Sequence, residues 1–113
     1  MSGRRAQQVE ELRGAVLAGP GQTDGALRQA VAARAAELGR AGEASTAVPA
    51  DLAGYVDKVA LHAYKVVDED IEALKAAGYS EDQIFELTVS AAVGAGLDRR
   101  QQGMAALGRG RVA

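Results

Sequence analysis

Apolar residues recur every three or four positions along most of this chain, and the breaks between those runs fall at Gly, Pro and capping residues. The first run spans Arg4 to Leu17, with Val9, Leu12, Val16 and Leu17 on one side and Glu10, Glu11 and Arg13 between them. It stops at Gly19-Pro20-Gly21, where the proline disfavours a helical Gly19. A second helix is predicted from Asp24, a good N-cap, to Leu38, with a stripe of Leu27, Ala30 or Val31, Ala35 and Leu38. Gly39 to Pro49 collects glycine, Ser45, Thr46 and a proline around one larger apolar residue, Val48. It reads as a linker, mobile or ordered only by a neighbour.

Pro49 suits the first turn of a third helix running to about Val66. Its apolar face is Leu52, Val56, Val59, Ala60, Ala63 and Val66 or Val67. A fourth helix is predicted from Asp68 to Gly78, opening on three carboxylates, Asp68, Glu69 and Asp70, at the positive end of its dipole. Ile71, Leu74 and Ala77 bury one side, Gly78 supplies a left-handed stop, and Tyr79 packs back on the last turn. Ser80-Glu81-Asp82-Gln83 is a capping box for a longer fifth helix. There Ile84, Leu87, Thr88, Ala91 and Ala95 make one stripe, which Phe85, Val89, Ala92 and Val93 extend. Gly94 and Gly96 each cost about 1 kcal/mol in a helix relative to Ala. Their return is a close backbone approach to another helix, or a bend.

Composition supports an all-α chain of about five helices. Hydrophobic residues are 48% of the 113 positions, and Ala, the best helix former, dominates them. Ala adds little buried area per residue, so part of the apolar surface is expected to lie between subunits. Val89, Ala92, Val93, Gly94 and Gly96 are the interface candidates. Length favours a single domain over residues 1–113. No apolar run is long enough for a membrane span, and Met-Ser-Gly-Arg-Arg is followed by no apolar signal region, which predicts a cytoplasmic protein.

Charge is uneven although the net is −2. The first fifty residues are nearly balanced, positions 51–96 carry three Lys against nine carboxylates, and the tail from Leu97 carries four Arg against Asp98. Four arginines without aromatic or polar readers do not make a nucleic-acid face, and no nucleic-acid partner is expected. The polarity could instead align subunits head to tail, an effect salt would weaken.

Residues 49–107 resemble the AhpD-like group (alkylhydroperoxidase and carboxymuconolactone decarboxylase). The resemblance rests on Ala53-Gly54-Tyr55-Val56-Asp57-Lys58-Val59, on Asp68 to Leu74, and on Ala77-Gly78-Tyr79-Ser80-Glu81-Asp82-Gln83-Ile84-Phe85-Glu86-Leu87. It is strongest to the half that lacks the cysteine motif in longer relatives. It implies a helical core assembling into tightly packed oligomers, with residues 1–48 as a helical segment and linker outside the pattern. The redox members use a Glu upstream of Cys-x-x-Cys-x-x-x-His, and on that resemblance Ala63 and Val66 fall at the cysteine positions and Asp70 at the histidine position. The chain has no cysteine, so a peroxidase or disulfide-exchange cycle within it is excluded.

Other chemistry is sparse. His62, the single histidine, lies near Tyr55 and Lys58 on its helix, a base beside a phenol and an ammonium that could move a proton; no oriented acid partner is visible, and Glu69, seven residues on, is one possibility. The opposite reading is a surface or interface histidine. One His and no Cys leave no metal site beyond carboxylates already placed at a helix start. Gly19-Pro20-Gly21 and Gly94-Ala95-Gly96 lack the remainder of a phosphate or dinucleotide loop, and no cofactor is expected. Ser80 is committed to capping, Ser90 to a packed helix, and no nucleophilic triad is visible. The expectation is therefore a non-thiol AhpD-like subunit that self-associates or partners a related chain. The alternatives are a small acid–base enzyme using His62, or a module binding a small ligand between its helices.

Overall fold

The structure, a computed structural model, describes residue 19 and residues 21–112, the side chains at 97, 98 and 100–112 excepted. Those residues form four α-helices and one 3-10 turn: α1 (Gly25–Ala41), α2 (Ala50–His62), the turn Ala63–Lys65, α3 (Asp68–Ala76) and α4 (Glu81–Val112). No strand occurs among them. The first helix expected from sequence, Arg4 to Leu17, lies outside the described residues.

The helix starts and stops follow local chemistry. Asp24 caps α1 through Oδ1, which accepts from the Ala26 N–H at 3.3 Å. Gly39, expected to end α1, lies inside it; the helix continues to Ala41 and closes at Gly42, whose φ is +73°. Helix α2 ends four residues before the expected Val66. Its C-terminal turn tightens into Ala63–Lys65, and Val66 and Val67 are extended. As a result the expected apolar face breaks down: Val66 is half-buried and Val67 is 49% exposed. Helix α3 ends in a Schellman motif, with Tyr79 N–H donating to Leu74 O, Gly78 N–H to Lys75 O, and Gly78 at φ +108°. Ser80 and Gln83 then make the predicted reciprocal box, at 3.1 Å and 2.9 Å, and α4 begins.

The core is one cluster drawn from all four helices. Val31, Ala35 and Leu38 of α1 meet Leu52, Val56 and Ala60 of α2, Leu74 of α3, and Ile84, Leu87, Ala91 and Ala95 of α4. Residues before position 49 thus supply part of the same core as those after it. The closest packing is between α1 and α4. A Cβ on Gly94 would lie 2.1 Å from Ala32 O, so only glycine lets the two backbones come this near. That is the close approach expected of this glycine, made within the chain itself. Ser90, fully buried on the same helix, donates its hydroxyl to Glu86 O at 2.8 Å.

The segment between α1 and α2 is tied down rather than loose. Glu37 accepts from Thr46 N–H at 2.9 Å and from the Thr46 and Ser45 hydroxyls, each at 3.0 Å. Arg34 donates to Thr46 O and makes a two-pronged pair with Asp57 at 2.7 and 3.1 Å. Ala44 and Val48 pack on the core. A composition of Gly, Ser and Pro carries no sign of such distant partners.

Candidate functional site

Two places hold most of the residues singled out by sequence: a cleft between α2 and α3, and helix α4. The cleft, about 460 Å³ and open to solvent, is lined by Asp51, Gly54, Tyr55 and Lys58 of α2 and by Asp70, Ala73 and Leu74 of α3. Residues 51, 54, 55 and 58 share one helical face, which explains why α2 contributes this set. Tyr55 and Lys58, two of the three acid–base candidates, are therefore neighbours in a concave site. His62 is not part of it. It is exposed at the end of α2, its ring edge-on to Tyr64 with centroids 6.0 Å apart, and Tyr64 is itself 81% exposed. His62 is the last residue of α2, and its own backbone has left the helical range, at φ −145° and ψ 54°, where the chain turns into the 3-10 segment.

The polar groups of the cleft are engaged with one another. Lys58 Nζ contacts both oxygens of Asp70, at 3.0 and 2.9 Å. Asp70 also accepts from the Val67 N–H at 2.9 Å, serving as the N3 residue that ties off the start of α3. That backbone donor, followed by the Lys58 ammonium, holds the Asp70 carboxyl below the ordinary aspartate range. Thr88 donates its hydroxyl to Ile84 O at 2.7 Å, so the 2.7 Å contact with Tyr55 has the phenol as donor. Tyr79 donates to Asp51 at 2.9 Å. Burial, and then the Asp51 carboxylate, push its phenol above the usual tyrosine value. Each of these groups has an assigned partner: the Lys58–Asp70 pair binds α3 to α2, and the Tyr55–Thr88 bond ties α2 to α4. Glu69, the acid partner considered for His62, is exposed on α3. Of the positions that the sequence resemblance would set at the redox motif, Ala63 is exposed in the 3-10 turn, Val66 is extended, and Asp70 is the partner of Lys58.

The second place is α4. Its buried side is Ile84, Leu87, Ser90, Ala91, Gly94 and Ala95. Of the interface candidates, Gly94 belongs to that side and to the contact with α1. Val89 and Val93 are half-buried, while Ala92 and Gly96 are exposed. Phe85, expected to extend the buried stripe, is 70% exposed. One residue past Ile84 is a 100° turn of the helix, which points Phe85 away from the core.

Sequence reading missed Glu86. It accepts from the Gln22 and Thr23 N–H groups and the Thr23 hydroxyl, and lies 4.0 Å from Arg28 Nε, itself on a buried side chain. The backbone donor at Gln22 comes first among the groups that lower its carboxyl below the ordinary glutamate range. A signal was present: Glu86 stands between Phe85 and Leu87 at the edge of a long uncharged run, where a carboxylate needs partners. No group of His, Cys, Asp and Glu able to hold a metal occurs among the described residues. No described helix is long and apolar enough to cross a membrane. No family model, curated protein or solved structure matches the chain.

Proposed function

We propose that this chain is a non-thiol helical subunit of the AhpD-like type whose role is assembly, through self-association or by completing an oligomer with a related chain. The observation that carries the reading is on α4. From Leu87 to Leu97 the helix has eleven consecutive uncharged residues, yet the other described residues cover one side of it. A helix that is apolar all round is ordinarily buried all round. Within that run Ala92 and Gly96 remain exposed, as does Phe85 just before it. The sequence resemblance supports the same reading, because it implies a family of packed helical oligomers. The cleft favours it as well, since Tyr55, Lys58 and Asp70 serve to hold helices together.

Native mass spectrometry on the untagged protein from its own cells tests this. A homo-oligomer, or a complex with a cysteine-bearing relative, is the expected result, and the two versions are separated by mass. A free monomer at cellular concentration would overturn the proposal.

A further inference from the structure

Along α4, Asp82, Phe85, Val89, Ala92, Gly96 and Arg99 recur at alternating spacings of three and four, the seam by which one helix packs against another. All but Val89 are exposed, and Val89 is half-buried. Gly96 is open: a Cβ built there meets nothing within 4 Å. The seam has a polarity of size and of charge. Its large residue, Phe85, is near one end and its glycine near the other. An acid, Asp82, lies beyond the Phe, and a base, Arg99, beyond the glycine.

That polarity selects both the occupant and its direction. We propose that the seam is covered by α4 of a second copy of this chain, running antiparallel about a two-fold axis that passes between Ser90 and Ala91. In that register Phe85 meets Gly96 of the second copy, Val89 meets Ala92, and Asp82 meets Arg99, each pairing made twice by symmetry. Large faces small and acid faces base in every layer. A parallel pairing in register does the reverse. It sets Phe85 on Phe85, leaves a gap at the two glycines, and stacks Asp82 on Asp82 and Arg99 on Arg99. Like charges placed in contact oppose such a pair, and an unfilled layer forfeits its packing. Arg99 remains available for this role although one Nη2 donates to Ala60 O at 2.7 Å, because a guanidinium has five N–H donors.

This inference rests on the assembly reading and specifies its partner and geometry, so the test separates failure of the one from failure of the other. The native chain has no cysteine, so every disulfide formed reports an introduced pair. Phe85→Cys and Gly96→Cys variants are oxidised separately and as an equimolar mixture, and the products are read by mass beside sedimentation of the native chain. The antiparallel register brings position 85 of one copy against 96 of the other. It holds the two copies of position 85 about 16 Å apart along the helix axis, beyond disulfide reach. The expected result is a native dimer, a mixed disulfide in the mixture, and none from either variant alone.

A disulfide from Phe85→Cys alone would overturn the antiparallel register while leaving assembly standing. A native dimer with no disulfide in any sample, or a complex made only with a different chain, would overturn pairing through this seam. A native monomer would overturn both. Gly96→Gln provides an independent check. The position is open in the single chain, so at a concentration where both chains are monomeric its thermal unfolding is expected to match or exceed the native chain's, while dimer affinity falls by about tenfold or more. An unchanged dimer affinity would contradict the proposal.

Discussion

At the scale of single residues, the structure is set by a few positions where one atom more or one charge less is costly. Gly94 is the clearest. Alanine there would gain helix propensity, about 1 kcal/mol, but its methyl would sit 2.1 Å from Ala32 O, a backbone atom that cannot turn aside. Gly94→Ala is therefore expected to destabilise by about 1–3 kcal/mol net of that gain, measured by denaturant unfolding. Sequence reading anticipated the close approach but not which helix makes it, because nothing in the spacing of Gly94 and Gly96 separates an inner glycine from an outer one. The structure does separate them, with Gly94 buried and Gly96 exposed.

Glu86 is the charged counterpart. Its carboxyl is held below the ordinary value, as are those of Asp70, Glu37 and Glu81, each by hydrogen bonds or a cation that favour the ionised form. Carboxyls depressed on folding contribute stability that is fully present above their unfolded values and is lost as pH falls through the folded ones. Thermal stability is expected to hold from neutrality to about pH 5 and to fall below about pH 4. Glu86→Gln should lower the neutral-pH melting temperature and flatten that acid limb. An acid limb as steep as the native one would show that Glu86 is not among its causes.

At the scale of elements, capping chemistry was the most legible feature. Asp24, Gly78 and the Ser80–Gln83 box each do what their side chains dictate locally, and all three can be read without knowing the fold. Ser80→Ala is expected to cost about 1 kcal/mol by leaving the Gln83 N–H without its side-chain acceptor, checked by thermal unfolding. What could not be read depends on partners distant in sequence. The Glu37 and Arg34 bonds that fix the segment before α2 reach across 8 to 23 residues, and the Lys58–Asp70 pair across 12. The end of α2 was misplaced for a related reason: its apolar pattern continues through Val66 and Val67 although the backbone has left the helix. The grouping of His62 with Tyr55 and Lys58 presumed helical backbone through His62, which instead has φ −145° and ψ 54°.

At the scale of the whole molecule, α4 is the spine. Its 32 residues make a rod of about 48 Å, close to the long dimension of a molecule measuring 52 × 28 × 23 Å. Helices α1 and α2 pack along it, and α3 joins α2 to its start through the Lys58–Asp70 and Tyr79–Asp51 contacts. The all-α class was legible in composition and periodicity. The periodicity of α4 was legible too, but an apolar run of this length does not say which side the chain's own helices will take. Phe85 shows the difference: sequence placed it with the core, and the fold places it outside with Ala92 and Gly96. The unspent apolar side of the spine is what turns a helical domain into a candidate subunit.

The central claim is that this side of α4 is an association surface. Sedimentation velocity of the native chain and of Gly96→Gln, run side by side over a range of concentrations from submicromolar upward, tests it most directly. The account predicts a concentration-dependent dimer for the native chain and, for the variant, a monomer whose thermal stability matches that of the native chain at the dilute end of the range, where both are monomeric. A native chain that stays monomeric across the range, or a variant that dimerises equally well, would contradict it.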